Sequence, residues 1–538
     1  MADYVIGFDF GNYYAQLCCI EDMDPKTRRG GTFRTLLDSS SSNVHGIPSA
    51  FFWAENVNGG QPLFGTEAEE KRPSGNCLRY MKMHMGETVT LYSKYDEKGA
   101  PVGNGRTFSY DEIITLTVQY QVRHANRELK RATGKTTNKI ALTYPAILHS
   151  GQRAHLVSLV EKATMEDGKT HLQVMGTIKE PAAAALNYLA EHPGRKETVT
   201  AMVADLGAGT FDLSVVEAYP KGRPHANGEG KYYYDVKWDD GSSRVAGLMF
   251  TDRLFQYVRS QIKFDLRRRQ LDDLMRDAEN AKRRLSEFES TTITVSGPDD
   301  DVDIDISRGK FEELTRDLMD QIIEKIRSAL NRSNVPTPDV IVITGGASRM
   351  PMVERRIVES FPQYKGKVAC HKPGEAIAHG AARYAVQEQD DDIRQGAKQA
   401  GEGAIIKRTT YDIGIRYHDV SKEGEPIYVE VLVPKESRVP FESKTVQSEV
   451  RKAARKSLFI VVEANCKDPD PYQPERDWRE VTRITVDHGR IVQPGTPTDS
   501  RISIDERMML HLLVTDPQHG YATLAETTSE NLNLTDFA

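Results

Sequence analysis

Cysteine and tryptophan are scarce, at five and three in 538 residues. The cysteines Cys18, Cys19, Cys77, Cys370 and Cys466 are odd in number and scattered. Without a C-x-x-C spacing they offer neither a zinc site nor a disulfide framework. Reduced thiols are the expectation, and with them a cytoplasmic chain. No run approaches 18 consecutive apolar residues, so no helix is expected to span a bilayer. Met1-Ala2-Asp3-Tyr4 passes straight into the strand-like Val5-Ile6, without the basic and apolar regions of a secretory leader. Positive charge is not in excess either. The 71 Lys and Arg against 78 Asp and Glu leave a net charge of −7, which removes the electrostatic case for nucleic acid or an anionic membrane as partner. With 38% hydrophobic and 28% charged residues the chain is globular in composition. At about 100–200 residues per domain, its length predicts three or four domains.

What the chain does have is an internal repeat. Residues 6–21 read IGFDFGNYYAQLCCIE and residues 202–217 read MVADLGAGTFDLSVVE; a shift of 196 aligns Asp9 with Asp205, Gly11 with Gly207, Leu17 with Leu213 and Glu21 with Glu217. Each copy is an apolar run, an Asp-x-Gly turn and a second alternating run, which predicts two strands joined by a tight turn. Glycine-rich turns of this kind expose consecutive N–H groups and form an anion-binding concavity suited to phosphate. An aspartate at the strand end complements it by holding Mg²⁺ through the metal's retained waters. Two such loops facing each other would grip a nucleoside polyphosphate from both sides.

A third glycine element follows a β-branched strand at Val340–Thr344: Gly345-Gly346-Ala347-Ser348-Arg349-Met350-Pro351, with a helix predicted over 352–361. Two alanine-rich segments, Glu180–Leu186 and Pro373–Ala382, read as helices entered through proline, whose small side chains allow close packing. They predict a hinge between two lobes.

Together these residues resemble the seventy-kilodalton heat-shock chaperones of the DnaK type, within the actin and sugar-kinase ATPase superfamily. The likeness runs in order through residues 4–387. It includes Asp277–Ser286, similar to the adenosine-contacting helix that separates these chaperones from actins and sugar kinases. The resemblance implies an α/β actin-like ATPase fold of two duplicated lobes over 1–387, a linker over 388–408, an all-β sandwich that binds peptide over 409–527, and a tail over 528–538 too short for the family's helical lid.

Residue by residue, the resemblance implies that Asp9 and Asp205 organise Mg²⁺, while Gly11, Asn12, Tyr13, Gly207, Ala208 and Gly209 line the phosphates. Lys82 falls at the catalytic lysine, with Glu180 and Asp212 positioning ions or the attacking water and Thr210 adding a further phosphate contact. Glu279, Lys282 and Ser286 would bind ribose and base, Arg283 and Arg349 would flank adenine, and Gly345 and Gly346 would let the backbone approach the nucleotide. ATP, ADP and Mg²⁺ are the implied ligands. Extended polypeptide clients, a J-domain co-chaperone and a nucleotide-exchange factor are the implied partners.

The chain also departs from the family. Asn12-Tyr13 stands for Thr-Thr, Ala208 for a loop glycine, Ala347 for a serine and Gly374 for an aspartate. These changes predict slow hydrolysis. They leave open a second reading, a nucleotide-dependent scaffold or exchange-factor-like protein that binds ATP with little or no turnover. Beyond 408, Ile427–Val433, Leu458–Ala464, Arg483–Asp487, Met509–Thr515 and Tyr521–Glu526 are short β-branched or alternating runs, the pattern of a sandwich. Val429 and Val446 are its expected groove residues by resemblance.

Overall fold

The structure is a computed structural model. It describes residues 4–23, 30–36, 46–71, 76–95, 100–148, 150–192, 198–224, 231–298, 300–332, 335–388, 405–409, 411–418, 422–424, 426–439, 441–464, 469–505, 509–519 and 522–528. Most of the expected linker and the tail lie outside them. The chain divides into two compact units. One comprises 1–147, 159–234 and 239–404; the other comprises 148–158, 235–238 and 405–538.

In the first unit the repeat becomes a register. Strand Ile6–Phe10 pairs antiparallel with Tyr14–Met23, matching Gly7 with Cys18, Phe8 with Leu17 and Asp9 with Gln16. Strand Val199–Leu206 pairs with Phe211–Pro224 and matches Val203 with Ser214, Ala204 with Leu213 and Asp205 with Asp212. Every pair is its counterpart displaced by 196. The outer neighbours repeat as well. Ile6–Phe10 runs parallel to Lys139–Tyr144, and that strand parallel to Gln173–Lys179. Val199–Leu206 runs parallel to Val340–Thr344, and that strand parallel to Val368–Cys370. Central strands such as Val340–Thr344 are buried throughout and β-branched, as a sheet covered on both faces requires.

The helix that follows each outer strand repeats too. Glu180–Glu191 and Ala376–Glu388 start 196 residues apart. They touch where Gly380 meets Ala183: a Cβ on Gly380 would lie 1.8 Å from the Ala183 carbonyl oxygen. Only a glycine permits that approach of two backbones. Among the described residues, no helix is long and apolar enough to cross a membrane, and Cys18, Cys19, Cys77 and Cys370 are free thiols.

The second unit is built of antiparallel sheets. One has the strand order Ile427–Val433, Ile413–His418, Ala454–Ala464, Trp478–Val492; the other pairs Pro497–Ile504 with Leu510–Asp516 and that with Ala522–Thr528. Ile413, Ile415, Val461 and Val486 from the first sheet and Ile502, Leu510, Leu512 and Val514 from the second form one buried core. Alternation at Ile502 and Ile504, and at Leu510, Leu512 and Val514, sends every second side chain into it. Val429 is a core residue, 2% exposed among Val462, Ala464 and Trp478. It therefore lines no open groove, because Trp478 and its neighbours cover it in a cluster separate from the main core. Val446 packs against the main core.

Candidate functional site

The candidate residues are gathered at the strand ends of the two copied sheets. Lys82 lies in a short 3₁₀ turn, Met81–His84, entered through Tyr80 in the left-handed conformation. That turn drives the lysine inward, where it is 6% exposed. Its Nζ donates to the Phe10 carbonyl at 2.7 Å and to Glu180 Oε1 at 2.9 Å. Glu180 is the first residue of its helix, placed there by the extended Lys179 before it and the proline after it. The lysine thus bridges the end of the first strand to the first alanine-rich helix.

Asp9, Asp205 and Asp212 converge on this pair. Asp9 is half-buried as a residue, with its carboxyl surrounded by protein. Burial first, and then Glu180, push it up to about 7, while Lys82 and the Thr143 hydroxyl, 3.2 Å from Oδ1, pull the other way. Burial, with Glu180 second, likewise pushes Asp212 up to about 7. Asp205 is raised well above the carboxylate range by burial, Glu180, Asp212 and Asp9. Among the described residues Asp205 Oδ1 is buried without a hydrogen-bond partner, and the Asp212 oxygens, buried too, make no well-formed hydrogen bond, although the Thr210 hydroxyl and the Ala146 N–H lie close enough to oppose the rise in its pKa. Buried acceptors left so are costly unless a ligand or cation satisfies them. Among those residues no three acidic, histidine or cysteine side chains form a direct metal cage. Two aspartates holding a hydrated ion suit Mg²⁺, which keeps several of its waters.

The two glycine turns approach each other. A Cβ on Gly209 would fall 2.3 Å from Asn12 Nδ2, so the Asn12 amide occupies the space between the loops. Asn12 Oδ1 is itself buried without a partner among the described residues. Gly11 is held by the Ser49 hydroxyl, which donates to its carbonyl at 2.7 Å. In the second turn Gly207 N–H closes on the Thr210 carbonyl at 3.0 Å, while the Gly247 and Leu248 N–H groups donate to the carbonyls of Gly207 and Ala208, both at 2.9 Å. Gly345, at φ +83°, lies against Asp205; a Cβ there would be 2.4 Å from Oδ1.

The adenosine residues expected on helix Arg268–Glu287 are also gathered. Glu279 accepts from Lys282 Nζ at 2.7 Å, Thr251 Oγ1 at 2.6 Å and Arg283 Nε at 3.0 Å. Against the opposing pull of burial, Lys282 and Arg283 hold its carboxyl down at about 2. Lys282 Nζ also donates to the Gly247 carbonyl at 2.9 Å, which links this helix through Gly247 to the second turn. Ser286 Oγ donates to the Lys282 carbonyl at 3.3 Å. Arg349 is exposed near Gly374, and Gly346 is exposed with nothing near its Cβ position. Arg283 lies against tyrosine rings instead of standing open.

Several residues went unread in the sequence. Arg79 donates from Nη1 to the Tyr13 carbonyl at 3.0 Å and pairs with Glu69. Thr251 and Ser49 act as described above. Lys179 makes a buried two-oxygen pair with Asp239, at 2.7 Å to each. Only Lys179 carried a signal, the one charge in its strand, at the end next to Glu180.

The Hsp70 protein family model matches residues 82–457. Chaperone protein DnaK of Thermotoga petrophila and of Thermotoga maritima are each 31% identical over 492 residues, covering 85% of this chain and 72% of each relative. The match runs through the Met81–His84 turn, the second glycine turn and the Arg268–Glu287 helix into the β-rich unit, and the chain belongs to the Hsp70 family of chaperones.

Proposed function

We propose that the chain is a chaperone ATPase of the cytoplasm: residues 1–387 bind ATP with Mg²⁺ and hydrolyse it slowly, and the β-rich region 409–527 holds extended polypeptide. The observation that carries this reading is the buried Lys82–Glu180 pair beside three aspartates, with orphaned oxygens on Asp205 and Asp212. Mg²⁺, when bound, neutralises phosphate charge. Asp9 and Asp205 hold its waters, and the paired glycine turns offer backbone N–H groups to the phosphates. The Lys82 ammonium stabilises charge that develops on the terminal phosphate. Asp212, whose carboxyl titrates near neutrality, orients the attacking water and takes its proton. Glu180 keeps the lysine aimed into the cleft. A J-domain co-chaperone and a nucleotide-exchange factor are the partners this cycle calls for.

Single-turnover hydrolysis by the intact chain tests the reading. Lys82→Ala should slow the chemical step about a hundredfold and leave ATP affinity within a few-fold. Asp205→Asn should weaken Mg²⁺-dependent binding. Equal rates in all three proteins would sink the catalytic assignment. The Asn12 amide wedged between the turns favours a second reading, a nucleotide-dependent scaffold or exchange-factor-like protein. ATP that binds yet stays intact through many minutes in the wild-type chain decides for it.

A further inference from the structure

Tyr13 stands where the family likeness puts a threonine, and the phosphate-turn reading gives its ring no task. Its backbone is pinned, because its carbonyl accepts from the Ser49 N–H and from Arg79 Nη1, both at 3.0 Å. The ring, in a residue 8% exposed, meets two guanidiniums. The Arg79 carbon lies 3.9 Å from its centroid and the Arg283 carbon 4.9 Å. Arg283 also approaches the Tyr14 ring at 5.4 Å, and its Nη1 donates to the Tyr14 hydroxyl at 3.4 Å. Tyr14 and Tyr80 pack around Tyr13 at 5.0 and 6.2 Å between ring centroids.

These contacts join distant parts of the site. Tyr13 and Arg79 belong to the first sheet's copy. Arg283 belongs to the Arg268–Glu287 helix, which Lys282 and Gly247 fasten to the second turn. Cation–ring attraction is strongest when desolvated, and arginine's flat guanidinium stacks well on an aromatic face. A threonine at 13 would keep the carbonyl that Arg79 donates to but would give neither guanidinium a ring to stack on.

We propose that Tyr13 is a positioning residue whose ring ties the first phosphate turn to Arg283 of the adenosine helix, so that bound nucleotide leaves only when this stack opens. The proposal rests on the nucleotide-binding reading above. Contacts of this kind act mainly on dissociation.

The test uses the intact chain and ADP carrying a methylanthraniloyl fluorophore. Tyr13→Leu and Tyr13→Thr should each raise the ADP dissociation rate about tenfold, with association within about twofold, and Tyr13→Phe should leave both rates alone. An unchanged rate in Leu and Thr overturns the proposal, as does a loss in Phe equal to theirs, which would make the hydroxyl the agent. A second arm needs no nucleotide. Spin labels on non-natural residues at exposed Asn56 and Lys263 report the distance between the two copies. The distribution should broaden in Leu and Thr and overlay the wild type in Phe. Unchanged distributions overturn the tie. ADP that fails to bind the wild-type chain overturns the nucleotide reading, and the distance arm then judges the tie separately.

Discussion

Four carboxyls and one ammonium share the cleft: Asp9, Glu180, Asp205, Asp212 and Lys82. One lysine cannot compensate four acids in a buried place, so some protons stay on. Asp9 and Asp212 both titrate near 7 in the folded chain against an ordinary 3.8. Between those values the folded chain keeps protons that the unfolded chain has released. The stability these groups contribute is therefore whole below about pH 4 and lost as pH rises to about 7. Asp9→Asn should flatten that slope. We expect the nucleotide-free variant to gain on the order of 4 kcal/mol at pH 8 and little at pH 4, read from urea unfolding at both values. A slope equal to the wild type's would rule out Asp9 as its source. Asp9 and Asp205 were legible because the repeated Asp-x-Gly turn displays them together, and Lys82 through the family resemblance. Arg79, Thr251 and Ser49 were not, since what each does is decided by a partner far along the chain.

The two alanine-rich helices are copies of one element. Glu180–Glu191 and Ala376–Glu388 share Tyr188 with Tyr384, Ala182 with Ala378 and Ala185 with Ala381 at the common displacement. The sequence showed two good helix formers; that they are equivalent escaped it, because close packing constrains side-chain size far more than identity. The hairpins revealed the repeat more readily, since their glycines and aspartates answer to backbone and ligand as well as to volume. The crossing is the element's vulnerable point. Gly380→Val should destabilise the chain by at least about 2 kcal/mol in urea unfolding, because a β-carbon there collides with the Ala183 backbone. Gly346→Ala is the matched control. Nothing lies within 4 Å of that Cβ position, and its cost should stay within about 0.5 kcal/mol.

At the scale of the molecule, the β-rich runs past residue 408 announced a second structural unit. The inclusion of 148–158 and 235–238 in that unit did not show, because contacts between remote segments decide it and local pattern carries no trace of them. The buried tryptophans separate the units experimentally: Trp53 reports the first, Trp238 and Trp478 the second. In a chain whose only tryptophan is Trp53, ATP with Mg²⁺ at about a hundred times its dissociation constant should stabilise the monitored transition by roughly 2.7 kcal/mol. A chain keeping only Trp478 should shift by less than half of that, and equal shifts would mean that both units unfold as one. The doubled plan carries one more implication. A scaffold made twice starts with two interchangeable half-sites, yet their chemistry has been divided. The counterpart of Glu180 is Ala376 and that of Asp212 is Gln16, and only the first copy brings Lys82 while only the second brings the Glu279–Arg283 network. Restoring the symmetry with Ala376→Glu or Gln16→Asp would add another acid to a chain that already keeps three aspartates above their ordinary range. Specialisation of the copies thus also limits how far the acids of the cleft outnumber their one lysine.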